Sequence, residues 1–140
     1  MTEDPPPRSI RALHDLAMEA ANRGMVAAHT GRHKQAFEFY RTAWQCEREA
    51  AALVVRDARS EPTRSILYRS AAWCALDCGE HADAIRLALA GLEGLNIPPS
   101  LVDELEEVLY AGIKMRAAEA TLISAGEQPR EGPSAPVSGA

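Results

Sequence analysis

Apolar residues in this chain recur three and four positions apart instead of alternating, so the pattern is helical from end to end. Leu13, Leu16, Ala17, Ala20, Ala21, Met25 and Ala28 share one face, which predicts a first helix from Ile10 to His29 capped by Ser9. Thr30-Gly31-Arg32 interrupts the pattern, and Gly31 suits the left-handed conformation that often ends a helix. Ala36, Phe37, Phe39, Tyr40, Ala43, Trp44, Ala50, Leu53 and Val54 predict a second helix with no glycine or proline before Pro62. From Lys34 to Arg59 it would be ~39 Å long at the standard rise, and its apolar end, Leu53, Val54 and Val55, needs a covering partner. Ser60-Glu61-Pro62 marks a boundary, because a residue before proline is pushed out of helical geometry. A third helix over Thr63–Cys78 and a fourth over Ala82–Glu93 follow, with Ala84, Ile85, Ala88, Leu89 and Leu92 apolar and Asp83, Arg86 and Glu93 solvated. After the break at Asn96-Ile97-Pro98-Pro99, Ser100 and Asp103 signal a last helix reaching about Ile123.

The second half repeats the first. Setting Ala36 on Ala84 brings Gly31 onto Gly79, Gly24 onto Ala72 and Tyr40 onto Ala88, an offset of 48 residues. Small residues at Gly24 and Ala72 let two helices of a hairpin approach; Ala36 and Ala84 sit where the second helix crosses back, and a large side chain there would force the pair apart.

This arrangement resembles the tetratricopeptide repeat (TPR), a hairpin with a small residue in its first helix, a glycine-bearing turn and an alanine at the crossing. Neither unit has the family's early tryptophan and leucine with its closing proline, and the family's repeat is ~34 residues long. The surplus matches the elongated second helix. The resemblance implies an all-α fold of about five helices, a right-handed stack of antiparallel hairpins with a concave face lined by first helices. On this chain that face draws on Met18, Asn22, Met25 and His29, with Arg69, Trp73 and Asp77 from the third helix. A carboxylate clamp of lysines and asparagines, found in some TPR proteins, is not carried: neither first helix has a lysine, and Asn22 is the only asparagine on them.

Composition narrows the setting. The 140 residues are 46% hydrophobic and 25% charged but only 5% aromatic, which suits one alanine-packed helical domain, here residues 9–124. Residues 1–8, with three consecutive prolines, and the polar tail 125–140 are expected to be disordered. The net charge of −5 argues against nucleic acid or an anionic membrane as partner. No apolar run approaches a membrane span, and the acidic, proline-rich start is unlike a signal peptide, so a cytoplasmic location with reduced Cys46, Cys74 and Cys78 is expected.

Candidate chemistry is thin. Cys74 and Cys78 are four apart on a helix with His81 just beyond, a partial zinc ligand set; the ordinary reading is that both cysteines are small core residues. His29 and His33 flank a glycine that breaks the helix between them. Glu47, Glu49 and the acids from Asp103 to Glu107 fit solvated helix surfaces. No glycine-rich phosphate loop or serine elbow occurs. The expectation is therefore a non-catalytic adaptor or scaffold without a cofactor, holding a partner protein or peptide. A homo-oligomer or larger complex built through residues 34–59 is the alternative, and a small-ligand or metal sensor around Cys74, Cys78 and His81 the second.

Overall fold

A computed structural model describes residues 8–127. Among these the secondary structure is helical throughout: α1 (Ile10–His29), α2 (His33–Ala52), α3 (Thr63–Asp77), α4 (His81–Leu92) and α5 (Pro99–Glu127), with a short 3-10 helix at Ala58–Ser60. No helix among the described residues is long and apolar enough to cross a membrane.

Local chemistry explains most of the boundaries. The Ser9 hydroxyl accepts the Ala12 amide at 3.0 Å and opens α1. α1 and α3 end in the same way. Gly31 (φ 79°) and Gly79 (φ 80°) are both left-handed, their amides donate to Ala28 and Leu76, and the next amides, of Arg32 and Glu80, reach back to Ala27 and Ala75 at 2.8 Å. These paired bonds form the Schellman arrangement, in which the reversed glycine satisfies the orphan carbonyls of the last turn. The 48-residue correspondence in sequence is thus matched by two turns of equal geometry. α5 begins at Pro99, where a missing amide costs nothing, and continues past the expected end at Ile123 to Glu127. The rest of both segments expected to be disordered lies outside the described residues.

The second helix is not elongated. α2 stops at Ala52, and the amides of Leu53 and Val54 fold back to Ala50 and Ala51. Three contacts turn the chain. Val54 packs on a small cluster of Leu13, Ala50, Ala51 and Leu67; the Asp57 carboxylate caps the Arg59 amide at 2.8 Å; and Arg56 Nε donates to the Glu93 carbonyl at 2.5 Å. An unbroken helix would carry all three away from their partners. Leu53 (48% exposed) and Val55 (70%) are left at the surface of this turn, so Leu53, Val54 and Val55 do not form one continuous helical interface.

Packing is sequential. α1 lies on α2, α2 on α3, α3 on α4 and α4 on α5, while α3 also meets α5. The main core joins Ala17 and Ala20, Ala43 and Trp44, Ala71, Ala72 and Ala75, Ala84 and Ala88, and Val108. Alanine at so many contacts brings the helix axes close. Gly24 takes this furthest, since a Cβ there would lie 2.7 Å from the Tyr40 ring. α3 is the central element, with buried residues from Arg64 to Ala75. Arg64 is nearly enclosed, and its guanidinium donates to the Ala90 carbonyl at 3.0 Å and the Gly91 carbonyl at 3.4 Å. It thereby satisfies the C-terminus of α4, where the helix dipole also favours a cation.

Candidate functional site

The residues expected on the first helices lie along α1 and α3, with α2 between them. The close approach at Gly24 seats the Tyr40 ring against α1. Tyr40 is also near α3: burial pushes its phenol up, and the charges of Asp77 and Cys74 add to that. Burial likewise raises the Asp77 carboxyl. Met25 and His29 line a shallow hollow of about 530 Å³ with Val26, Ala28, Thr30 and Tyr40. Met25 is 58% exposed and so contributes apolar surface to this hollow. Met25, His29, Tyr40 and Asp77 thus mark one end of the α1–α3 face.

Met18 and Trp73 come next and are part of the frame as well as of the surface, for both pack half-buried against the main core. Arg69 is tied down too, donating to Glu104 of α5 at 2.5 Å. Asn22 diverges from the group and lines a trough on the outer side of the first hairpin with Arg23, Val26 and Phe39.

At the other end stands a polar cluster that sequence reasoning misplaced. Glu47 is completely buried, and both its oxygens lie 3.0 Å from Nδ1 of His14. Ser70 and Arg69 of α3 also act on the carboxyl, so α1, α2 and α3 meet on one acid. Burial raises the Glu47 carboxyl and outweighs the lowering by His14, Ser70 and Arg69. The sequence did contain the signal: Glu47 follows Ala43 by four positions and precedes Ala50 and Ala51, all buried. Its register places it on the core face of α2.

Asp83 was misplaced in the same way. It is a buried acceptor for the Trp44 indole at 2.6 Å, with Arg48 3.6 Å and Arg86 3.3 Å away. The Arg48 guanidinium also lies 4.4 Å from the centre of the Trp44 ring. This network joins α2 to the first turn of α4, where a carboxylate is favoured by the dipole.

Cys74 and Cys78 are buried, and burial pushes their thiols up to about 12 and about 11. Both are therefore neutral thiols near neutral pH, poorly suited to bind metal or attack an electrophile. Cys78 donates to the Ala75 carbonyl, and His81 faces Glu119 of α5 at 3.4 Å instead of the cysteines. Among the described residues no three His, Cys, Asp or Glu side chains gather in a way that could hold a metal ion.

Neither a protein-family model, nor a curated protein, nor a solved structure matches this chain. The α1–α3 face is consequently read from its own chemistry. It offers exposed apolar surface at Met25, aromatic surface at Trp73 and Tyr40, and charge at Asp77, carried by helices whose polar side chains are cross-linked beneath.

Proposed function

We propose that the chain is a non-catalytic interaction module of TPR-like design that holds a peptide or protein segment against the α1–α3 face. The observation that carries this reading is the exposed Met25 beside His29 and Tyr40 in an apolar hollow, with the Asp77 carboxylate of α3 near enough to Tyr40 to raise its phenol. Aromatic and methionine side chains on a rigid frame give contact area at small entropic cost, and flanking charge sets orientation. Support for the stacked-hairpin part comes from the equal turns at Gly31 and Gly79 and from the small residues at equivalent positions.

Selection from a displayed peptide library tests it. Peptides that bind the wild-type chain should lose at least about tenfold in affinity on Met25→Lys, roughly 1.4 kcal/mol, with no change in melting temperature because Met25 is exposed. Selected peptides that bind Met25→Lys and His29→Glu as well as the wild type would refute the site. Trp73→Ala is a poorer probe, since Trp73 also packs on the core.

A further inference from the structure

In a stack packed in order, two surfaces lack a neighbour among the described residues: the outer side of the first hairpin and the outer side of α5. Both are distinctive. Two adjoining hollows of about 300 and 270 Å³ share Arg23 and Phe39 and so form one trough along α1 and α2. Its floor is apolar, with Leu16 40% and Val26 61% exposed beside Phe39. Arg8, Arg23 and Arg32 border it, and the single acid in the lining, Glu19, is paired with Arg23 at 3.2 Å. The trough is therefore apolar with a net positive rim, on a chain whose net charge is −5.

α5 has the opposite character. Its inner side buries Leu101, Leu105, Val108 and Gly112, and its outer side exposes Asp103, Glu106 and Glu107 followed by Tyr110 (64%) and Ile113 (48%). Asp103, Glu106, Tyr110 and Ile113 are spaced by three and four and lie on one stripe. From Asp103 to Ile113 the stripe runs ~15 Å, and the trough from Leu16 to Ala27 ~16 Å, at the helical rise.

We propose that the outer trough of the first hairpin receives the outer stripe of α5 from a second copy of this chain, so that molecules associate head to tail. Acids of the stripe meet the arginine rim, and Tyr110 and Ile113 cover the apolar floor. Such a contact joins two different surfaces of the same chain, so unless the rotation closes a ring each added copy leaves one trough and one stripe free. Of the residues lining the hollow on the α1–α3 face, Val26 alone also lines the trough.

Sedimentation equilibrium of the full chain tests this. From about 10 µM to about 1 mM, the range of a weak self-contact, the weight-average mass should rise past that of a dimer, and in about 1 M salt it should return towards the monomer. Arg32→Glu places acid against acid and Glu106→Arg places base against base, so each variant alone should remain monomeric. Mixed in equal amounts they should associate again, because each then offers the other a complementary surface. Tyr110→Glu should weaken association by itself without loss of helicity. If Arg32→Glu or Glu106→Arg loses helicity, Arg23→Glu or Glu107→Arg takes its place in the swap. A wild-type chain that is monomeric throughout or stops at a dimer overturns the proposal, as does a variant that associates like wild type or a mixture that stays monomeric.

Discussion

Glu47 shows how much one side chain can hold in this molecule. Its carboxyl is fully buried; His14 on α1 bonds it, and Ser70 on α3 favours its charged form. The folded state raises its affinity for a proton, so its favourable contribution is complete below the ordinary carboxylate value of 4.5 and is lost as pH rises through the raised one. Glu47→Gln keeps a hydrogen-bonding group but cannot ionise. Thermal melts between pH 4 and 8 should therefore fall with pH in the wild type more steeply than in Glu47→Gln; parallel curves would contradict the assignment. In the acidic part of that range Glu47→Ala should cost on the order of 1–3 kcal/mol, because His14 loses its buried partner, and the cost should shrink as pH rises. The cysteines give a second residue-scale test. Cys46 is half-buried, whereas Cys74 and Cys78 are buried with thiols raised to about 12 and about 11. Alkylation of the native protein at pH 8, followed by mass spectrometry, should modify Cys46 first and the other two only on unfolding.

Between elements, the alanines set the geometry. Ala84 is fully buried in the main core, and its Cβ lies 3.7 Å from where a Cβ on Gly112 of α5 would be. The position so serves the α4–α5 contact as well as the core beside α3, a wider role than a hairpin crossing alone. Ala84→Leu should destabilise by roughly 1–3 kcal/mol through overpacking, read as a lower urea midpoint with an unchanged slope; an unchanged midpoint would mean that α5 can move aside freely. The end of α2 teaches the opposite lesson. No glycine or proline stands between His33 and Pro62, so local propensity gives no reason to stop at Ala52. The stop comes from distant partners: the cluster under Val54 and the Glu93 carbonyl that accepts from Arg56. Propensity is a weak prior, and tertiary contacts of this kind override it.

Across the whole molecule, stability should be graded from the centre outward. α3 touches α2, α4 and α5, while α1 is held chiefly by α2 through one leucine and a row of small residues. Small side chains bury little apolar area each, and the His14–Glu47 pair is the polar side-chain link from α1 to another helix among the described residues. Beyond Gly112 the side chains of α5 are exposed up to Gly126. Hydrogen exchange should accordingly be slowest in α3 and fastest in the terminal turns of α5, with α1 opening before α3 and α4. Equal protection across all five helices would refute that order.

The helical period, the cap at Ser9 and the turns at Gly31 and Gly79 were legible in the chain itself, because each depends on neighbours in sequence: a 3.6-residue period, a serine hydroxyl, a glycine that tolerates positive φ. Met25, His29 and Asp77 lie on α1 and α3, the helices on which their spacing placed them. Other features depend on residues more than thirty positions apart: Glu47 with His14, Asp83 with Trp44, Arg69 with Glu104, Arg56 with Glu93. Local pattern cannot distinguish a charge that faces water from one that faces a partner on another helix. That difference is a matter of desolvation and pairing, and both arise only when the helices come together.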